Sequence, residues 1–467
     1  MKKEAPIDNT SLQYLQTRLR GNMLLPGDSG FDAARSIWNS MILREPALIV
    51  RCKTTHDVIN AVNFAQDQNL VVSVKGGGHN IAGNAVCNGG LMIDLSEMQA
   101  VEVDPEKKTV RVEGGCLLGM VDEATQQHGL AVPAGVVSTT GVAGLTLGGG
   151  FGWISRKYGL SIDNLLEAEV VTADGNCITA SKKENPNLFW GLRGGGGNFG
   201  IVTRFTFRLQ PVGQVYSGLI VHPFSAAREL LQFHRDFIAQ APDELTLWVI
   251  IRHAPPLPFL PEAVHGQLVV VVAFCYVGDE AAGAQVMAPY RAWGSPLGEH
   301  VGMNPFADWQ KSFDGLSTSG ARNYWKSHYL HEISDAFIDT VIPYAADFPS
   351  PDCEVLIPQL GGAISRVPED ETAFTNRQAP TLINLHTRWE KAADDEKNIR
   401  WAREFFEALK PFSTGGVYVN FIGEEDETRV HDAYSAATWK KLVSLKVKYD
   451  PQNFFHMNQN IRPSQYH

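Results

Sequence analysis

Residues 71–83, reading VVSVKGGGHNIAG, set a histidine directly behind three glycines at the end of an apolar, β-branched run. Glycines at such a point let backbone N–H groups close on an anionic group, because no Cβ stands between. His79 is then presented at the loop tip, where a neutral imidazole can act as nucleophile or ligand. The same residues also suit a tight turn with an incidental histidine, and the segment alone does not separate the two readings.

Two further glycine clusters accompany it, GVAGLTLGGGFG at 141–152 and GGGGNFG at 194–200. Together the three imply several places where backbone packs directly on a ligand. A dinucleotide is the obvious candidate, since its pyrophosphate suits a set of N–H donors. A Rossmann-type site is the rival, but it needs a GxGxxG that follows a strand and opens a helix. Here the glycines at 148–152 lead into WISRKYG, a short turn stopping at Gly159, and residues 81–83 do not continue as a helix. Some of the glycines serve only to shape turns.

The elements that must hold these loops belong to a long chain. Its 467 residues exceed one ordinary core, so two domains are expected. Hydrophobic content of 44% and charged content of 19% are those of a folded globular protein. A net charge of -11 argues against nucleic acid or an anionic membrane as partner. Residues 1–19 are polar and of mixed charge, and the longest apolar stretch, 268–276, is strand-sized, so the cytoplasm is the expected compartment. The cysteines (Cys52, Cys87, Cys116, Cys177, Cys275, Cys353) are scattered singly, without a CxxC pair or metal-ligand spacing. Neither a disulfide framework nor a bound metal is expected.

From 44 to 209 short β-branched strands are expected at 47–52, 71–75, 91–94, 100–104, 109–113, 167–172 and 200–209. Thr54 or Thr55 can cap a helix to about residue 68, with Val58, Val62 and Ala65 on one face. A second helix at 117–128 should stop at Gly129. The pattern is α+β rather than doubly wound. From 210 to 416 the strands lengthen: 215–222, 245–252, 268–277, 353–361 and 382–389, followed by 417–421, with helices at 226–240 and 395–409. Residues 245–252 are apolar on both faces, as where one face meets helices and the other a pocket. A proline-rich loop follows at 253–261. This half reads as an antiparallel sheet backed by helices, and a charged helix at 426–449 leads to the closing segment.

KGGGHN (75–80), residues 134–152 and GGGGNFGIVTRF (194–205) resemble the PCMH-type FAD-binding domain of the vanillyl-alcohol-oxidase superfamily. YVNF (418–421) and KYDPQNFFHMNQNI (448–461) are similar to its berberine-bridge-enzyme-like branch, and the likeness runs over nearly the whole chain. The resemblance implies an α+β bidomain flavoprotein. Its FAD-binding domain would comprise residues 1–209 and 422–467, with a central substrate domain at 210–421.

By the same resemblance His79 bonds covalently to the 8α-methyl carbon of FAD, which should raise the flavin's reduction potential. Gly76, Gly77, Gly78 and Asn80 would touch the pyrophosphate. Thr140, Gly141, Gly144, Gly148, Gly149 and Gly150 would approach from the second loop. Gly197, Asn198 and Ile201 would lie along the ribityl-adenine side, with Asn458 and Asn460 near the flavin. Many relatives add a second bond through a cysteine in Gly-x-Cys-Pro-Thr-Val-Gly; here Val137 holds that position, so His79 would be the sole tether. Cys87 and Cys116 lie elsewhere. Thr140 matches a position thought to gate oxygen, and its size favours an oxidase that makes H₂O₂.

Relatives often take the substrate proton with a tyrosine, at positions that here carry Phe421 and Ile81, neither able to do so. Tyr418 and Asn420 remain, and strand alternation would put them on one face. Asn384, His386 and Arg388 share a face of their strand, and Asn384 matches a position that carries glutamine or a catalytic glutamate in relatives. His386 has a suitable pKa for a general base, or else it hydrogen-bonds within the sheet. Tyr324, Trp325 and Lys326 either reach the pocket or are packing and surface residues; near a flavin, Lys326 could stabilise reduced-flavin charge. The implied activity is hydride abstraction from a C–H next to O or N of a small or medium-sized organic substrate, with O₂ as acceptor. A dehydrogenase with another acceptor, or a flavin-binding protein without turnover, are the alternatives. Sugar oxidation is disfavoured by the missing tyrosine and second link.

Overall fold

The computed structural model describes residues 7–463. A four-stranded sheet runs in the order Asn22–Leu24, Leu48–Arg51, Leu91–Asp94, Val72–Lys75, the last three strands parallel. Parallel strands need a crossover, and helix Thr55–Asp67 supplies one. Thr54 and Asp57 form a capping box at its start, while Val58, Val62 and Ala65 are fully buried. Strand Val72–Lys75 therefore ends, by construction, where the Gly76–Gly78 loop begins.

Beside it lies an antiparallel five-stranded sheet in the order Val101–Asp104, Thr109–Glu113, Ile201–Arg208, Leu165–Val171, Cys177–Ser181. Its core takes in side chains from far along the chain: Val417, Ile422, Tyr434, Leu442 and Ile461 pack with Leu192, Phe199 and Phe205. Buried Lys446 fastens the closing segment, donating to the carbonyls of Asn198 and Phe455 and pairing with Asp450 at 2.7 Å.

The middle of the chain forms a seven-stranded antiparallel sheet. Its order is Gly298–Pro305, Gln214–Pro223, Leu268–Tyr276, Leu245–His253, Glu354–Pro358, Thr381–Trp389, Arg322–Leu330. Helices Ala227–Ile238, Asp335–Ala346 and Asp395–Leu409 bury their apolar stripes on one face, against Leu247, Val249, Ile251, Val355, Ile357 and Leu385. The alternate residues of the same strands point the other way, toward the glycine loops. Helices and mainly antiparallel sheets thus build an α+β bidomain fold.

Several elements differ from the sequence reading. Residues 417–421 are not a strand: Val419–Phe421 is a 3₁₀ turn, closed by Phe421 N donating to Tyr418 O. The expected helix at 426–449 begins only at Ala436, where Ser435 caps it; Glu424–Ala433 is 3₁₀. Edge strands Gly298–Pro305 and Arg322–Leu330 leave no clear strand signal in the sequence, since each carries too many polar residues to alternate clearly. Helices Glu280–Arg291 and Asp335–Ala346 were hidden by internal Pro289 and Pro343. Among the described residues no helix is long and apolar enough to cross a membrane, and no His/Cys/Asp/Glu group could hold a metal.

Candidate active site

A cavity of about 340 Å³ lies between the glycine loops and the free face of the seven-stranded sheet. Gly76, Gly77, Gly78, His79 and Asn80 form one wall, with Thr140, Gly141 and Gly144 from the second loop. Gly197, Ile201 and Asn458 line it from the third cluster and the closing segment. Two of these loops touch: a Cβ on Gly77 would fall on the backbone of Gly141, and one on Gly141 on that of Gly77. Only glycine allows that approach. Gly78 has φ +71°, and its carbonyl accepts from Trp38 N at 3.0 Å.

The His79 ring is stacked on Trp38, with centroids 5.2 Å apart and planes 19° from parallel. Its Nε2 is 3.1 Å from Thr139 Oγ1. Thr139 belongs to a loop that Asp314 pins by accepting from Ser138 N at 2.8 Å. Burial pushes the imidazole pKa down to about 4, against a smaller upward pull from Asp314, so His79 is neutral at pH 7. Val136 and Val137 line the cavity as well, and no cysteine does.

Five expected cofactor contacts lie outside the cavity wall. Gly148 backs onto Asn420, whose side-chain amide a Cβ would strike, and Gly149 backs onto Phe374. Gly150 has its N–H donated to the Tyr418 hydroxyl. These three glycines give room for packing behind the loop. Asn198 ties chain segments together, donating Nδ2 to the carbonyls of Gly195 and Gln459 and accepting from Ile461 N. Asn460 is not part of the wall, and its Oδ1 is buried without a protein partner.

The sheet side of the cavity is aromatic, with Trp248, Trp325, Phe421 and Tyr418 beside Phe151 and Trp153. Trp325 alone of its trio faces inward. Lys326 and Tyr324 take the opposite face by alternation, where Lys326 pairs with Glu425 at 2.8 Å and sits over Phe406. The proposed flavin contact of Lys326 is thereby removed. Tyr418 lines the cavity, but its hydroxyl is engaged by Gly150 N–H and by Asn420 Nδ2 at 2.9 Å. Burial raises its pKa to about 12. Tyr418 and Asn420 meet through this bond in a turn, not along a strand face.

Asn384 and His386 line the cavity from strand Thr381–Trp389, and Asn384 Oδ1 has no protein partner. Arg388 reaches away from the wall, to Thr318 and Asn323. Glu354, which sequence reasoning missed, lines the cavity beside His386 and meets its Nδ1 at 2.9 Å. Its strand was legible, yet the pairing needs the strand register, which a single sequence does not disclose. Trp38 was missed too, because nothing local connects it to His79.

The cavity fits FAD on its own features. Added Cβ atoms on Gly144 and Gly197 would meet no atom within 4 Å, so backbone is bared directly to the space. The Oδ1 of Asn458, a residue of the wall, is buried and unpartnered, as a polar atom awaiting a ligand would be.

Comparison with known proteins follows the same lines. The FAD binding domain family matches residues 46–181, and the berberine and berberine-like family matches residues 417–462. An FAD-linked oxidoreductase of Dictyostelium discoideum is 32% identical over 92% of this chain and 91% of its own length. The chain belongs to the berberine-bridge-enzyme-like family of FAD-linked oxidoreductases. It is also similar to (R)-6-hydroxynicotine oxidase of Paenarthrobacter nicotinovorans, 30% identical over 95% of this chain and 97% of the relative. In this berberine-bridge-enzyme-like protein the backbone follows the crystal structure of 6-hydroxy-D-nicotine oxidase from Arthrobacter nicotinovorans. The TM-score is 0.85 at 28% identity, covering 96% of this chain and 98% of that one. A chitooligosaccharide oxidase shares the fold, with a TM-score of 0.84 at 23% identity over 97% and 100% of the two chains. The protein is therefore an FAD-linked oxidoreductase.

Proposed function

We propose that the protein is an oxidase holding FAD covalently through His79 alone, with O₂ as its electron acceptor. It removes a hydride from a C–H next to oxygen or nitrogen in a small or medium-sized organic molecule, and H₂O₂ is the second product. The observation that carries this reading is the wall around His79, where a neutral imidazole faces the cavity beside Val137 and no cysteine is among the lining residues. A neutral imidazole has the free electron pair that covalent attachment needs. The likeness to an enzyme named (R)-6-hydroxynicotine oxidase supports the choice of oxidase.

Bound FAD supplies a two-electron acceptor for the substrate hydride. The chain's own residues do the rest. Gly76, Gly77, Gly78 and Gly197 offer bare backbone to the cofactor's polar parts. Trp38 holds the His79 ring at a fixed tilt. Trp248, Trp325, Phe421 and Phe151 exclude water and favour an apolar, ring-sized substrate body. Thr140, the residue read as governing oxygen access, is part of the wall.

Anaerobic photoreduction followed by stopped-flow mixing with aerated buffer tests the reading. Reoxidation within seconds, with one H₂O₂ per flavin, is expected. Reoxidation that is slow in air yet fast with a quinone or dye would assign the protein as a dehydrogenase instead.

A further inference from the structure

Four residues stand directly opposite one another across four neighbouring strands of the large sheet. Arg252 pairs in register with Glu354, Glu354 with His386, and His386 with Trp325. Register brings all four to one level of the sheet, and their side chains form a continuous polar chain ending at an aromatic ring. Arg252 Nη1 donates to Glu354 Oε2 at 2.6 Å, and Glu354 Oε1 meets His386 Nδ1 at 2.9 Å. The Trp325 ring stands edge-on to the imidazole, with centroids 4.4 Å apart. His386 Nε2 is buried without a protein partner, as is Trp325 Nε1. Glu354, His386 and Trp325 all line the cavity, and Arg252 stands behind them.

We infer that this row is a proton-accepting site for a substrate hydroxyl: His386 Nε2 receives the proton, Glu354 positions the imidazole, and Arg252 positions Glu354. The inference rests on the hydride-transfer reading and narrows its substrate class to alcohols carried on an apolar ring-sized body. Glu354 is acceptor-only while ionised, so the proton on the shared bond sits on Nδ1, and Nε2 is left with its lone pair. Arg252 matters because it offsets the carboxylate charge. Without that cation, buried Glu354 would draw a second proton onto His386 and spoil it as a base.

The charged groups that face the imidazole are Glu354 from its own strand's neighbour, Arg252 from the next strand, and Arg388 from the same strand. Trp325 and Trp38 face it with uncharged rings. Burial lowers the His386 pKa, and Glu354 pulls it back only in part. Burial pushes Glu354 up, but Arg252 and His386 outweigh that and hold it below the ordinary glutamate range.

For a carbinol the balance is simple. The O–H proton passes to Nε2, the oxygen pair closes the C=O bond, and the C–H pair leaves as hydride to the FAD of the family's reaction. Substrate loses two electrons and two hydrogens. A neutral amine would not need the acceptor.

The test uses holoenzyme with ¹⁵N-labelled histidine, the His386 signals being assigned by their loss in His386→Gln, which leaves the Arg252–Glu354 pair intact. At neutral pH the expected result is a protonated Nδ1 and a bare Nε2. An Nε2–H tautomer or an imidazolium would overturn the inference. The second arm titrates 4-nitrophenol into the same holoenzyme. At equal pH the ratio of ionised to un-ionised probe should be about ten-fold higher for bound than for free probe, a shift of about one pKa unit. His386→Gln and Glu354→Gln should abolish that excess. Probe that fails to bind, binds un-ionised, or stays ionised in His386→Gln contradicts the assignment. Neither arm involves O₂ or turnover, so a failed relay leaves the oxidase reading standing, and slow reoxidation leaves the relay standing.

Discussion

Asn420 donates its Nδ2 hydrogen to the Tyr418 hydroxyl oxygen at 2.9 Å, while Gly150 N–H reaches the same oxygen at 3.1 Å. That oxygen accepts twice and lies in a buried turn, with its pKa raised to about 12 by burial. Tyr418 is thus a brace between the second glycine loop and the 418–421 turn, not a proton acceptor at neutral pH. Tyr418→Phe should cost about 1–3 kcal/mol of stability, because it leaves Gly150 N–H buried without a partner. The pH dependence of flavin reduction should keep its shape. Loss of an ionisation from that profile, measured by anaerobic stopped flow, would restore Tyr418 as a catalytic residue.

The glycines of the wall separate by what lies behind them. Gly77→Ala drives a Cβ into the Gly141 backbone, which cannot yield without parting the two loops. Gly197→Ala meets nothing within 4 Å, and its methyl simply enters the cavity. Gly77→Ala should lower the melting temperature as well as flavin content. Gly197→Ala should fold normally and lose flavin alone. Flavin-to-protein ratios and melting curves on freshly purified protein decide it; full flavin in Gly197→Ala would move the cofactor elsewhere.

Two histidines outside the site are buried in neutral form. Burial lowers His234 to about 3 and His328 to about 4, from an ordinary value of 6.5. Between those values the unfolded chain takes up protons that the fold refuses, so stability falls as pH drops below about 6.5 and levels near the folded pKa. His328 stacks on Phe406 with centroids 4.0 Å apart, and Phe can keep that stack. His328→Phe should remove about one proton from the acid-side slope of stability against pH. Urea unfolding at a series of pH values measures it, and an unchanged slope would show that His328 is protonated in the fold.

Much of this was legible in the sequence, and the boundary is physical. Thr54 and Asp57 announce their helix because a cap is a local bond. The apolar run at 245–252 announces a strand between helices and a pocket, and Trp248 and Ile250 do face the cavity while Leu247 and Val249 face the helices. The glycine clusters betray close backbone approach, yet not which glycine meets ligand and which meets protein, as Gly148 and Gly150 illustrate. Glu354 stayed hidden because its meaning lies in register with Arg252 and His386, which are far apart in the chain. Residues 417–421 alternate like a strand, but the Phe421 N to Tyr418 O bond folds them into a turn that no neighbouring strand pairs.

In the function proposed, His79 alone ties FAD to an oxidase. Acid precipitation of purified holoprotein, with absorbance of pellet and supernatant, tests it most directly. Flavin is expected in the pellet for the native chain and in the supernatant for His79→Ala. Flavin released from the native protein, or still pelleting with His79→Ala, would contradict it.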